Sequence, residues 1–301
     1  MIKNSYKSII KDSASDRLFY LFCYIVITLL TISVLYPLIY ILSASISDAG
    51  AVLSSKMWLW PVDISFVGYK YILGYKYIWI GYRNTIFYTV AGTSIGIVLT
   101  MICAYPLARK NLKGRGFFTF LFTFTMIFSG GMIPNYLLMK NLNMIDTPWV
   151  MIIPGCMTAY VMIITRTFIQ SSIPDELHEA AIIDGCSDFT FFAKVVLPLS
   201  KAIIAVQAVM YASAHWNSYF NAFLYLKSKN LYPLQIFLRQ ILVQSNFDTE
   251  MLDPDAVAQL QTLQQSLKYA IIVIATAPML TLYPFAQKYF VQGVMIGSLK
   301  G

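Results

Sequence analysis

The sequence predicts an all-α polytopic membrane protein, a bundle of six transmembrane helices with the N and C termini both cytoplasmic. Three observations carry this. Of 301 residues, 58% are hydrophobic and 12% charged, against about 25% charged in a soluble domain. The apolar residues come in runs of roughly 20, the length a helix needs to cross a hydrocarbon core of about 30 Å. The 14 acidic residues and nearly all basic ones lie between those runs, as expected where a charge at mid-bilayer costs at least ~2.5 kcal/mol.

A polar leader, residues 1–17, carries Lys3, Lys7, Lys11 and Arg17 and precedes a first transmembrane helix at 18–46. The small residues Ser43, Ala44 and Ser45 raise the rival of a cleaved signal peptide, whose apolar region is only about 7–15 residues long. The run here is far longer, so it reads as an anchor. Residues 47–83 form an extracytoplasmic loop. Trp58, Trp60 and Trp79 lie in it, and Trp149 beside another outer loop, where aromatic rings anchor at the membrane interface.

Residues 84–290 form the core, with further spans at 84–108, 117–139, 148–165, 202–226 and 269–285, each free of Asp, Glu, Lys and Arg. The short stretch between the second and third carries Arg109, Lys110, Lys113 and Arg115. By the positive-inside rule that stretch, the leader, the loop after span four and the tail at 291–301 are cytoplasmic. Pro37, Pro106, Pro134, Pro154 and Pro278 remove backbone donors in or near spans, tolerated where neighbours or cavity water satisfy the freed carbonyls. Ser129-Gly130-Gly131 is the strongest interruption, read either as a broken helix or as close packing through glycine.

The net charge of +8 fits the positive-inside rule and not a nucleic-acid partner, because no basic stripe is interleaved with aromatics on a soluble face. Cys23, Cys103, Cys156 and Cys186 lie far apart without ligand spacing, and His178 and His215 fall in different segments. Neither a disulfide framework nor a metal site is expected. The loop between spans five and six, 227–268, clusters Asp248, Glu250, Asp253 and Asp255. The glycine and bidentate Glu spacing of an EF-hand is missing, which leaves a solvated docking surface.

The cytoplasmic loop 170–201 is dense in helix signals. Ser172-Ile173-Pro174-Asp175 offers a hydroxyl cap, Pro in the first turn and an acid at the third position, with Glu176 and Glu179 favoured by the helix dipole. Gly185 supplies a stop. Ser187-Asp188 opens a second helix through Phe191, Phe192, Val195 and Val196 that Leu197-Pro198 terminates. Ala180 and Ala181 are small, so another surface can approach; an interfacial hairpin without a partner fits the same periodicity.

Glu179-Ala180-Ala181-Ile182-Ile183-Asp184-Gly185 followed by Val195-Val196-Leu197-Pro198 resembles the EAA motif of binding-protein-dependent ABC importer permeases. The resemblance covers roughly residues 69–301, including Asn84, the segment Ala104-Tyr105-Pro106-Leu107-Ala108-Arg109, and a tail similar to that of maltose-permease-type subunits. Within that class it is similar to permeases for oligosaccharides released from complex polysaccharides. It implies a permease in the bacterial cytoplasmic membrane, paired with a second homologous permease, two ATP-binding subunits and an extracytoplasmic solute-binding protein. It also implies no cofactor on this chain, with ATP and Mg on the partner ATPase.

Residue by residue, the resemblance makes Glu179, Ala180, Ala181, Asp184, Gly185, Leu197 and Pro198 coupling positions, and Gly297, Lys300 and Gly301 contacts of the tail with the ATPase dimer. A frayed tail is the ordinary expectation for terminal residues. Two departures stand out: Val195 where isoleucine is usual, and Ala202 where many sugar permeases repeat a proline.

Span five holds Tyr211, His215, Trp216, Asn217 and Tyr219, polar and ring surfaces suited to a sugar path. On a continuous helix Tyr211, His215 and Tyr219 share one face. The same residues serve equally as interhelical glue. A membrane-embedded enzyme would need converging carboxylates or an activated nucleophile, and a nucleotide site on this chain a Walker A loop, and neither pattern is present. An ion-coupled secondary transporter would need intramembrane charges or inverted repeats.

Overall fold

The computed structural model describes residues 13–243, 261–281 and 284. The described residues are helical, apart from turns and one isolated bridge between Ser47 and Ile64. In chain order they form α1 (Ala14–Ser45), α2 (Ala49–Leu53), α3 (Val67–Gly74), α4 (Lys76–Ala108), α5 (Arg115–Ile127), α6 (Met132–Asn141), α7 (Trp149–Ile152), α8 (Ala159–Ser172), α9 (Asp175–Ile183) and α10 (Asp188–Phe191). A π-helical turn (Phe192–Val196) leads into α11 (Leu197–Leu199), α12 (Lys201–Trp216), α13 (Tyr219–Tyr225), a 3₁₀ turn (Lys229–Leu231) and α14 (Leu234–Val243). Residues 261–281 form α15.

Among the described residues two helices, α1 and α4, are long and apolar enough to cross a membrane, and two bent pairs, α5 with α6 and α10–α11 with α12, pass the same test together. The described residues thus form a helical bundle with membrane-spanning candidates.

The residues divide into two units, 1–70 with 248–273 and 71–247 with 274–301. In the first, α1 is exposed along its length until Ser43, Ala44 and Ser45. There Ala44 packs with Val52, Met57 and Val62, and the Ser43 hydroxyl donates to the Leu59 carbonyl at 2.6 Å. Asp48 caps α2 by accepting from the Gly50 and Ala51 amides.

The second unit is built around α4, which packs on α12, α8 and α14. Glycines make this possible. A Cβ on Gly81 would press on Leu234, one on Gly92 would overlap the His215 imidazole, and one on Gly96 would overlap the Cys156 carbonyl. Small residues on one face let backbones approach in the membrane, where water supplies no hydrophobic drive between helices.

Several expected boundaries change. The helix that carries the expected span 84–108 begins earlier, at Lys76, because a helix keeps its hydrogen bonds past the hydrocarbon edge and tolerates Lys76 and Arg83 there. Span three is broken between α5 and α6 with a 114° bend, and Gly131 supplies the left-handed backbone at φ +82°. Span four is two helices, parted at Pro154 and at Gly155 with φ +87°. Span six is helical from 261, earlier than the expected 269. The leader up to residue 12, the acidic cluster at Asp248–Asp255, and Gly297, Lys300 and Gly301 lie outside the described residues.

Candidate functional site

The segment from Ser172 to Ser200 forms two short helices folded on each other. Ile173 precedes a proline, which pushes it out of the helical region to φ −121°, ψ 98°. That ends α8 at Ser172 and makes Pro174 itself the cap of α9. Ser172 is therefore the last residue of α8, not the expected hydroxyl cap. Asp175 and Glu176 occupy the first turn of α9, where the helix dipole favours negative charge.

Gly185 ends α9 at φ +75°. Its amide donates to Ile182 O at 2.9 Å and the Cys186 amide to Ala181 O at 2.8 Å, the paired bonds of a Schellman turn. Ser187 then caps α10 by accepting from the Thr190 amide at 3.2 Å. Pro198 does not end this second helix. The chain widens into a π turn whose closing bond runs from the Leu197 amide to Phe192 O, and the bend of 77° falls at Ser200. The π turn absorbs the donor that Pro198 lacks.

Two contacts fix α9. His178, buried, places Nε2 2.9 Å from Asp188 Oδ1 and stands edge-on to Phe191 with ring centroids 5.0 Å apart. Phe191 is fully buried among Tyr105, Ala108, Ile173 and Val196. At the first residue of α9, Asp175 Oδ2 lies 2.9 Å from Lys110 Nζ and Oδ1 3.8 Å from Arg109 Nη1. The hydrogen bond from Lys110, reinforced by the charges of Lys110 and Arg109, holds the Asp175 carboxyl below the usual range; the same bond raises Lys110.

Lys110 and Arg109 follow directly on α4, whose last carbonyls are also capped from α8. Arg166 Nε donates to Leu107 O at 2.9 Å and Gln170 Nε2 to Ala108 O at 3.2 Å. These four helix-end contacts bring α4, α8 and α9 to one junction, around a cleft of about 230 Å³ lined by Tyr105, Gln170 and Glu176 among others.

Apart from these anchors α9 is largely bare. Glu179, Ala180, Asp184 and Gly185 are exposed and Ala181 is half-buried. Beside them Ile183 is 86% and Phe189 77% exposed, with Ile182 at 55%. Leu197 is half-buried against the core around Phe191, and Pro198 is exposed in α11.

The span-five residues are mostly packing elements. Tyr211 OH and Thr100 Oγ1 are 2.6 Å apart, and the Thr158 amide donates to the same phenol at 3.4 Å. His215 rests on Gly92, and Trp216 Nε1 donates to Ala275 O at 3.0 Å. The expected common face of Tyr211, His215 and Tyr219 is not formed, because the helix stops at Trp216. Asn217 turns its amide back onto Ser213 O at 2.9 Å, a local bond that competes with helix continuation. Tyr219 begins α13, stacked with Phe223 under the Arg239 guanidinium, 4.5 Å from its ring.

Sequence reading missed two non-local clamps. Asn84 Nδ2 donates to Asn230 O at 2.7 Å and Tyr232 O at 3.1 Å. Asp146 accepts from the Lys227 and Ser228 amides, both at 2.8 Å, and from the Ser228 hydroxyl at 2.6 Å. Its left-handed φ of +58° suits an Asp in a turn, which is the one local signal that could have drawn attention to it.

A family described as binding-protein-dependent transport system inner membrane component matches residues 92–296. The polygalacturonan/rhamnogalacturonan transport system permease protein YtcP of Bacillus subtilis (strain 168) is 39% identical over 287 residues, 95% of this chain and 99% of that one. The melibiose/raffinose/stachyose import permease protein MelC of the same organism is 28% identical over 268 residues, 87% and 90% of the two chains. A solved structure, of a bacterial ABC transporter involved in the import of the acidic polysaccharide alginate, superposes with a TM-score of 0.84 at 35% identity, covering 93% of this chain and 99% of that one.

Proposed function

The chain belongs to the binding-protein-dependent transport system inner membrane components, and on that premise we propose that it is the membrane-spanning permease subunit of an ATP-driven carbohydrate importer. Its substrate class is oligosaccharide, in keeping with the names of its relatives. The chain is a transport component and not an enzyme; hydrolysis of ATP with its Mg belongs to a separate subunit.

One observation carries the mechanism. In α9 Asp175 and His178 are tied down by their partners while Ile182, Ile183 and the Glu179-Ala180 pair stand exposed to solvent. Exposed apolar groups rimmed by polar ones mark a protein contact. An ATP-binding subunit seated there moves α9, and the packed helices behind it carry the motion. Small residues at 180 and 181 allow close approach, and Glu179 and Asp184 supply directional polar contacts at its rim.

In this reading both termini and the 170–201 loop are cytoplasmic in a multi-pass bacterial cell-membrane protein with six spans. A second homologous permease completes the pathway, two ATP-binding subunits drive it, and an extracytoplasmic binding protein delivers sugar. Gly297, Lys300 and Gly301 reach the ATPase pair. Sugar-facing polarity falls to Asn217 and Tyr219, where the helix breaks, rather than to the buried Tyr211, His215 and Trp216.

The test is purification of the chain from its native membrane followed by reconstitution with its binding protein. An ATPase and a second permease co-purify, and uptake of neutral and uronate oligosaccharides stops with vanadate. Uptake that survives vanadate and collapses with the proton gradient would instead identify an ion-coupled secondary transporter.

A further inference from the structure

We infer that the ion pair between Asp175 and Lys110 is a direct mechanical link from α9 to α4, which makes both of them positioning residues for coupling ATP hydrolysis to substrate movement. The inference rests on the reading of α9 as the docking site of the ATPase.

Besides the Ile173-Pro174 link back into α8 and the His178 contact with Phe191, a displacement of α9 has two routes onward to α12 and α4. The covalent route runs through the Gly185 turn, α10, a π turn, α11 and a 77° bend before it reaches α12. Each break in regular helix along it is a place where motion is absorbed. The second route is one contact long. Asp175 opens α9, and Lys110 lies two residues beyond the end of α4, at 2.9 Å.

α4 is suited to receive that motion. It is a continuous helix of 33 residues, and its end is held by Arg166 and Gln170 of α8, so neither it nor the end of α8 can shift alone. Along its length Gly92 and Gly96 seat His215, Tyr211 and the Cys156 carbonyl without slack. A push on Asp175 is therefore passed to the interface between α4 and α12. Packed helices have few alternative arrangements, so they transmit displacement rather than absorb it.

As a stabilising contact the pair is minor. The Lys110 side chain is 77% exposed, and exposed pairs add little to folding. A geometric role is thus separable from a structural one.

The experiment uses the complete transporter in proteoliposomes, with Lys110→Glu, Asp175→Lys and the double exchange. The milder Lys110→Ala and Asp175→Asn cover the case in which reversal prevents assembly. The readouts are sugar imported per ATP hydrolysed and the stimulation of ATPase by loaded binding protein, alongside the co-purified subunits. Single changes should lower the transport-to-hydrolysis ratio by roughly twofold to thirtyfold, the range of measured coupling perturbations, with assembly intact, and the double exchange should restore most of it. Wild-type ratios in the single variants, or a double exchange no better than either single, overturn the inference. Wild-type uptake that is insensitive to vanadate overturns the underlying functional reading instead.

Discussion

Across the Gly185 turn, the His178 imidazole and the Asp188 carboxylate meet at 2.9 Å, although the Asp188 side chain is 82% exposed and the His178 side chain only 11%. The pair joins two helices that share few other contacts. Replacing His178 with Ala removes the bond and the edge contact to Phe191, and should loosen the docking of α9 by about 1 kcal/mol. Limited proteolysis at the 184–188 turn checks this: the variant is cut faster while the assembled complex keeps its composition.

Gly185→Ala isolates a backbone effect. Nothing lies within 4 Å of a Cβ at this position, so the strain comes from φ +75° alone. An L-residue there costs roughly 1–2 kcal/mol, and Asn, which tolerates the left-handed region, costs less. Hydrogen exchange at the Gly185 and Cys186 amides should rise in the Ala variant and change little in Gly185→Asn.

Glu179→Ala and Ile183→Asp test the bare face. Both residues are solvent-exposed, so thermal stability of the detergent-purified chain should stay within about 0.5 kcal/mol of wild type. Stimulation of ATPase by loaded binding protein should fall, more for Ile183→Asp, because it places an unpaired charge in an apolar contact. Undiminished stimulation in both would remove this face as the docking site.

The glycine seats in α4 differ in what opposes them. At Gly92 the obstacle is the His215 ring, and at Gly96 it is the Cys156 backbone carbonyl. Overpacking costs about 1–3 kcal/mol, and a backbone atom yields less than a side chain. Gly96→Ala should lower the yield of folded protein more than Gly92→Ala, and adding His215→Ala should rescue only the latter.

Asp146 gives a dependence on pH. Burial opposes its charge, but the bonds from the Ser228 hydroxyl and amide and the Lys227 amide prevail and hold its pKa below 3.8. A carboxylate depressed in the folded state contributes stability above its unfolded pKa and loses it as pH falls through the folded value. Thermal melts of wild type and Asp146→Ala should differ by a constant amount above about pH 5 and converge only as pH falls past the ordinary carboxylate pKa and through the lowered folded one.

What the sequence could reveal was local. Gly185 and Ser187 announce a stop and a cap because each acts through its own backbone or that of a residue three positions on. Ser172 misled because two rules competed: its hydroxyl suits a cap, but the proline two residues later restricts Ile173 and moves the start of α9. The break at Asn217 carries no proline or glycine, and a run of apolar and aromatic residues conceals it. Contacts such as Asp146 with Ser228, or Lys110 with Asp175, join segments far apart in the chain. Their partners are chosen by the folded bundle and leave no pattern to read.

The first helix has a consequence of its own. Of the 32 residues of α1 only Ser43, Ala44 and Ser45 are buried, and at 1.5 Å per residue it spans about 48 Å, well beyond a hydrocarbon thickness of about 30 Å. A rod longer than its slab carries its polar first turn, with Asp16 and Arg17, past the slab's edge or leans. Among the described residues of its unit, α1 packs near its foot, through Tyr40 on Tyr269 and Ala44 on Val52 and Met57, so the direction of a lean is set by lateral pressure from whatever stands beside its upper length. The thickness of the surrounding bilayer thereby becomes a variable that acts on the one end where the rod is seated.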